Sequence, residues 1–581
     1  MRSHFISLFT IQSNMKQKPV NKAAQSKSAA PKTLLTRIES FFAIHEKNLF
    51  IALCVLAVAF GLLLFNARVS EGNDDSMYIE AGYNYAHHFS TYAYTANAPL
   101  YPLFLGGLTA LLGINLIAFK LFSVIFNVVG LVFFYKAFRG RIPFLILFTV
   151  CFSIAINSYF QYFASQTYTE AMFLCFQGIF LFVFFKLIDK IDNDEEVGNL
   201  QHAPLWLAIG GLIFTLIMVR NGSIAIIPAL ILFFIVIKKI RYIWWALGSF
   251  LVFRIPFEIF HTLLWKQKDQ YSGQSKILML KDPYNPTLGN DDFNGFVARF
   301  FDNIQLYLSK RFFQILGFFS ENYTETNMLL SVLVIVLALV GLFKAWKLAN
   351  HTLLFAILYT SATVLLTFII LQTRWDQPRL IMVHMPVLLI AILFGLYEAV
   401  KRHGYIQNFL VVICVILVAS TSLSAINKSG GNVPIVMKNL QGDKLYGYSP
   451  DWKNFFRISE WCAHNLPDSA LVASRKASMS FIYGSGKRFF PVYKVYALDT
   501  ATGYSNPDSV LHYFKRNGVT HIILASLRRD PSKADGNIIN TLHRMAEPIA
   551  RKYPEKFTLV YQEPKLEDAQ LEPAYLYKIN Y

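Results

Sequence analysis

Long runs of apolar residues, separated by short cationic loops, constrain this chain more than any other feature. A helix needs about 20 predominantly apolar residues to cross the hydrocarbon core of a bilayer. Runs of this kind lie at 49–67, 115–135, 142–159, 170–187, 204–220, 221–237, 242–265, 327–346, 351–371, 379–397 and 406–425. Backbone polar groups in lipid must find partners within their own segment, so such runs fold as helices. Composition agrees: charged residues make up 15% of the 581 residues and apolar types 54%, whereas soluble domains carry about 25% charge. The chain is therefore expected to be a polytopic α-helical membrane protein of about eleven transmembrane helices. The runs meeting at Arg220–Asn221 form a tight hairpin.

The formal net charge of +18 does not point to nucleic acid. Lys136, Arg139, Arg141, Lys186, Lys190, Lys238, Lys239, Arg241, Lys344, Lys347, Lys401 and Arg402 all fall in alternate loops or at the ends of the runs that border them. Cytoplasmic loops carry such an excess of Lys and Arg. With the N-terminus inside and an odd number of spans, the C-terminal region lies outside. The expected location is thus the plasma (inner) membrane. Four of the five cysteines lie in apolar runs and only Cys462 in the polar C-terminal region, so no disulfide framework is implied.

The domain organisation follows. Residues 1–48 are expected to be a disordered cytoplasmic tail, basic through Lys16, Lys18, Lys22, Lys27, Lys32 and Arg37, without a cleaved signal peptide. Residues 49–426 form the transmembrane module. Its first outer loop, 68–114, contains the short stretch PLYPLFLGGLTALLG at 99–113, expected as an interfacial helix. A second outer loop, 266–326, mixes turn residues with paired phenylalanines. Residues 427–581 are expected to form a small extracytoplasmic α/β domain, with a helix over KNFFRISEWCAHN and strands at ALVAS, VTHIILAS, TLVYQ and AYLYKI.

Candidate chemistry gathers at the outer face, and each candidate also has a purely structural explanation. Asp74 and Asp75 follow the first span directly; a carboxylate there can serve as a general base, or simply favour a solvated helix N-terminus. Glu170 opens the fourth span. It is either functional, as acids in apolar helices often are, or half of a capping box with Thr167. Arg220, Arg374 and Arg379 lie at outer turns and suit a phosphate ligand, or snorkel to lipid headgroups. Arg254 and Glu258, four apart, read as a structural ion pair. GSGKR at 484–488 lacks the glycine spacing of a phosphate loop, and no zinc spacing of Cys and His is present.

The order of these features resembles the GT-C fold membrane glycosyltransferases, nearest to the dolichyl-phosphate-mannose–protein mannosyltransferase-like and lipid A aminoarabinose transferase-like group. The resemblance rests on DDxxY at Asp74–Tyr78, APLYP before a short apolar helix, NxxAxKLFS, YTEAMF, VRNGSIAIIP, QPRLIMVHMPVLL and the soluble tail. It covers residues 49–581. It implies sugar transfer from a polyprenyl-phosphate donor to a lipid, glycan or protein acceptor at the extracytoplasmic face, with inversion. Asp74 would be the general base, paired with Asp75 where the family commonly has Glu, and Glu170 would assist. Arg220, Arg374 and Arg379 would hold the donor phosphate, and Tyr78 and Tyr101 would contact substrate. No metal is required by this reading, although some members of the fold use a divalent ion. Without covalent chemistry, the same architecture would suit a transporter or flippase of lipid-linked sugars; transporters typically show internal repeats, and none is visible here. A membrane scaffold with a partner-binding outer domain would leave the acidic pair unexplained.

Overall fold

The computed structural model describes residues 33–265, 272–284, 288–403, 406–528, 538–565 and 572–581. The basic tail up to Lys32 lies outside the described residues, as do 266–271 and 285–287 of the second outer loop. Helix α1 (Leu34–Leu63) begins well before the expected tail boundary at residue 48. Thr33 caps it through the Thr36 N–H, and polar contacts hold its extra turns: Glu39 accepts the N–H groups of Phe144 and Leu145 at 2.9 Å each.

A surface pair, α2 (Asp74–His88) and α3 (Leu100–Leu112), follows the first span. Helix α3 is too short to span, as expected, and lies against α2. Gly82 and Gly106 let the two backbones meet: a Cβ on Gly82 would stand 2.8 Å from Leu105 Cβ and 3.1 Å from the Gly106 nitrogen. Then come α4 (Leu116–Phe138), α5 (Phe144–Ile156), α6 (Ser158–Ala164), α7 (Thr169–Asp192), α8 (Ala203–Val219), α9 (Ile226–Val236) and α10 (Arg241–Trp265). The expected span 142–159 is not continuous. It bends by 51° between α5 and α6, where Asn157 accepts from the Tyr159 and Phe160 N–H groups and donates to the Ile315 carbonyl at 2.6 Å. These bonds replace the helical ones lost at the bend.

The second outer loop carries the short helices α11 (Ser272–Met279), α12 (Phe293–Gln305) and α13 (Phe312–Ile315). Buried Arg299 gathers it by donating to the carbonyls of Leu278, Leu280 and Ile370 and pairing with Asp291. Next are α14 (Met328–Lys347), α15 (His351–Ile370), α16 (Arg379–Met382), α17 (Met385–Val400) and α18 (Gln407–Leu440). The expected span 379–397 is broken between α16 and α17. Helix α18 runs 14 residues beyond the expected boundary at 426, through Pro434.

Among the described residues eight helices are long and apolar enough to cross a membrane, and the bent pair α5–α6 makes a ninth. The shorter apolar segments Asn221–Val236 and Met385–Val400 account for the remaining two runs. The chain is a multi-pass membrane protein with a small sheet domain at its C-terminus, as expected. One end of the bundle is cationic and laced by ion pairs, Arg139 with Glu46, Arg141 with Asp189 and His351 with Asp192. The opposite end carries α2 and the amino end of α7.

The C-terminal domain begins at α19 (Pro450–Asn465). It continues through β1 (Leu471–Ser474), α20 (Ala477–Tyr483), β2 (Phe489–Pro491), α21 (Pro507–Arg516), β3 (Val519–Ala525), α22 (His543–Lys552), β4 (Phe557–Glu563) and β5 (Ala574–Ile579). The sheet order is β2-β1-β3-β5-β4; β2, β1 and β3 are parallel, and β5 and β4 pair antiparallel. Gly518, at φ +69°, turns the chain out of α21 into β3.

Candidate active site

At the end opposite the ion-paired loops, a cavity of about 620 Å³ opens between α2, α7, α8, α15 and the turn 371–380. Four charged side chains meet there. Arg379 pairs with Asp74 and stands 3.8 Å from Glu170; Arg220 donates to Glu170 Oε1 at 3.2 Å. Arg379 lies over the Tyr168 ring and Arg220 over Phe173. Two guanidiniums and two carboxylates thus form a quartet of balanced formal charge in the cavity wall, linked in the order Arg220, Glu170, Arg379, Asp74. The Asp74 side chain is 38% exposed and Glu170 only 2%.

The two neighbouring aspartates are sorted by the helix they begin. Asp75 is fully buried and does not line the cavity. It accepts the Ser70 N–H at 2.6 Å, the Ser70 hydroxyl at 3.0 Å and the Ser76 N–H at 2.8 Å. Burial pushes its carboxyl up, against these bonds and the charge of Lys120. Lys120, also buried, donates to Asn66 Oδ1 at 2.9 Å, to Gln166 Oε1 at 2.8 Å and to the Arg68 carbonyl. Asp75 therefore folds the loop before α2 and leaves Asp74 to face the cavity.

Glu170 is not a cap. The residue before α7 is Tyr168, without a side-chain cap bond, and the Thr167 hydroxyl has no partner among the described residues. The two arginines draw the carboxylate into the cavity wall instead. Arg374 stands apart from the other two arginines: its side chain is 62% exposed and pairs with Asp282 at 2.7 Å, outside the quartet. The turn 373–376 is a single 3-10 turn, which points Trp375 at the cavity and Arg374 away from it. Tyr78 lines the cavity and takes a hydrogen bond from Asn97 at 3.5 Å. Tyr101 does not reach it. It packs edge-on against Tyr78 and bonds Ser123 at 3.2 Å, so it supports Tyr78 from behind. Arg254 and Glu258 do form the ion pair expected within α10.

Sequence reasoning missed several lining residues: Asn97, Ser223, Gln377 and His384. Glu170 Oε2, Asn221 Oδ1, Ser223 Oγ and His384 Nδ1 are buried atoms without a hydrogen-bond partner among the described residues. Buried polar groups are nearly always paired, and these four line the cavity or adjoin it. The available signal was a polar residue interrupting an apolar run, as His384 does. Among the described residues no three His, Cys, Asp or Glu side chains come together as a metal cradle.

No protein-family model and no curated protein sequence matches the chain. Solved structures do. The oligosaccharyltransferase of Archaeoglobus fulgidus, with a tethered acceptor peptide, aligns at TM-score 0.52 and 12% identity over 90% of this chain and 74% of its own. ArnT from Cupriavidus metallidurans, bound to undecaprenyl phosphate, aligns at TM-score 0.51 and 12% identity over 92% of this chain and 98% of its own. The fold is the GT-C fold expected from the sequence.

Proposed function

We propose that this protein is a membrane glycosyltransferase that moves a sugar from a polyprenyl-phosphate donor to an acceptor at the outer face of the membrane. The observation that carries the reading is the convergence of Asp74, Glu170, Arg220 and Arg379 on one cavity at the membrane surface. The GT-C fold and the undecaprenyl phosphate held by ArnT support it.

The chemistry follows from the geometry. The donor's phosphate enters beside Arg379 and Arg220, the cations of the quartet, and takes over guanidinium N–H groups now turned to Asp74 and Glu170. Charge-assisted, forked bonds of this kind suit a phosphate. Asp74, released and facing the cavity, accepts the proton of the acceptor hydroxyl. That oxygen forms its bond to the anomeric carbon from the face opposite the leaving group. The carbon–oxygen bond to phosphate breaks, and the polyprenyl phosphate departs with the electron pair. Configuration inverts through an oxocarbenium-like state. Arg379 and Arg220 stabilise the charge developing on the phosphate, where preorganised donors contribute most. Glu170 keeps the two arginines in register. Ser223 and His384 supply polar contacts for the sugar, a role that fits their unpaired buried atoms, and Asn97 lines the same cavity. Tyr101 acts through Tyr78, and Arg374 lies outside the cavity wall.

With the ion-paired cationic end cytoplasmic, the cavity and the α/β domain are extracytoplasmic. Incubating purified protein with labelled undecaprenyl-phosphate sugars tests the reaction. Release of undecaprenyl phosphate coupled to sugar appearing on an acceptor is expected; movement of intact donor across a bilayer without that release would favour a flippase instead. Cysteines placed in loop 499–503 should react with an impermeant maleimide from outside, and reaction only after permeabilisation would reverse the topology.

A further inference from the structure

The loop between α1 and α2 decides where Asp74 sits, and it has little regular structure of its own. Its last residue, Asn73, adopts a left-handed backbone conformation at φ 78° and makes no side-chain cap. From the membrane side Lys120 and Asp75 hold it, as described above. From the other side the holding groups belong to the C-terminal end of the chain. Asn439 accepts the Ala67 N–H at 3.0 Å, Tyr448 donates its hydroxyl to the Val69 carbonyl, and Lys476 donates to the Glu71 carbonyl at 2.9 Å.

Lys476 is the telling member. It lies two residues after β1, at the carboxyl edge of the parallel strands β2-β1-β3. Parallel sheets gather their ligand-contacting residues at that edge; here the edge meets the chain's own loop. The side chain is 8% exposed, lies over the Trp452 ring, and forms no ion pair with any described carboxylate. A buried ammonium without a paired acid is costly. Its hydrogen bond goes to the carbonyl three residues before Asp74. Burial and the adjacent Arg475 push it down to about 8, against the pull of Asp74, Asp75 and Glu71. The same domain grips α2 further along, where Phe481 packs edge-on against Tyr83.

We propose that the C-terminal α/β domain forms part of the active site, with Lys476 as the positioning residue that fixes the loop delivering Asp74. This rests on the reading of Asp74 as the base. In full-length protein, Lys476→Met removes the bond from Lys476 to the Glu71 carbonyl and loosens the loop. Misplacement of a reacting group by about 1 Å lowers turnover by about 10²-fold, so kcat should fall on that scale while KM for an undecaprenyl-phosphate sugar stays within about two-fold. Lys476→Arg, which keeps a charged donor, should recover most of the loss. Should Lys476→Met not accumulate in the membrane, Tyr448→Phe removes the companion bond to Val69 and should act in the same direction.

Backbone hydrogen exchange over residues 68–73 supplies a readout that needs no substrate. Exchange there should rise at least about tenfold in Lys476→Met and remain near wild type in Lys476→Arg, with the helices of the bundle unchanged. Unaltered loop exchange, or equal losses in the Met and Arg variants with faster exchange throughout the bundle, would overturn the proposal. Faster loop exchange in a protein whose wild type releases no undecaprenyl phosphate would instead overturn the transferase reading, and with it the catalytic half of this inference.

Discussion

Replacing each aspartate of the pair by asparagine separates their roles, because one change touches chemistry and the other touches folding. Asp74→Asn removes the carboxylate proposed as the base. General-base catalysis contributes about 10²–10⁴-fold, so kcat for sugar transfer should fall by that factor. The cost to stability is small. Asp74 is more than a third exposed, and Arg379, itself 13% exposed, keeps Glu170 at 3.8 Å and so is not left without a carboxylate. Asp75→Asn has the opposite profile. Its carboxylate accepts two backbone N–H groups and the Ser70 hydroxyl while fully buried. The asparagine amide has one acceptor oxygen, and its NH2 would face a donor. Each buried donor left unpaired costs about 1–3 kcal/mol, and Lys120 loses its nearby negative charge. A destabilisation of about 3 kcal/mol is expected, read as a Tm lowered by several degrees in detergent. Turnover would fall only as far as the loop loosens. The assay pairs release of undecaprenyl phosphate with thermal unfolding of the same preparations. Near-normal turnover by Asp74→Asn, or an inactive Asp75→Asn with unchanged Tm, would refute the division of roles.

Arg379→Lys keeps the charge but loses the fork that reaches both Asp74 and Glu170; KM for the donor should rise at least about tenfold by steady-state kinetics, whereas Arg374→Ala should leave both constants within about two-fold. Gly82→Val forces a side chain into the contact with Leu105 and Gly106; overpacking costs about 1–3 kcal/mol, and turnover should fall with Tm because α2 carries Asp74. The pH–rate profile should show an alkaline limb beginning near pH 8. The Lys476 ammonium, faced by Arg475, Asp74, Asp75 and Glu71, loses its proton as pH rises through about 8, weakening its bond to the loop, and the limb should move to higher pH in Lys476→Arg.

Much of the site was legible one residue at a time. An acid after the first span, an acid opening the fourth and arginines at outer turns are conspicuous because charge is rare beside apolar runs. What could not be read was direction. Asp74 and Asp75 are identical in type and adjacent, and about 100° of helical rotation separates them; the contacts of Ser70 and Lys120 decide which one faces the cavity. Arg374 and Arg379 lie in one short turn, yet one pairs with Asp282 and the other with Asp74. Glu170 fits a capping box by spacing, but two arginines from distant helices outcompete the local cap.

The sequence by itself determined the class of fold, the existence and rough limits of the spans, the cationic loops and, in the C-terminal region, the helix over 453–465 and four of the five strands. These depend on local hydropathy and on backbone groups that must be satisfied within a segment, and both are written in consecutive residues. Only the tertiary structure decided that the span at 142–159 bends at Asn157, that Tyr101 supports and does not line the cavity, and that the C-terminal domain reaches Asp74 through Lys476. Each depends on a partner far away in the chain: Ile315 for Asn157, Ser123 for Tyr101, Glu71 for Lys476. A hydrogen bond across such a separation leaves no periodic trace in the sequence, so it becomes visible only when the chain is folded.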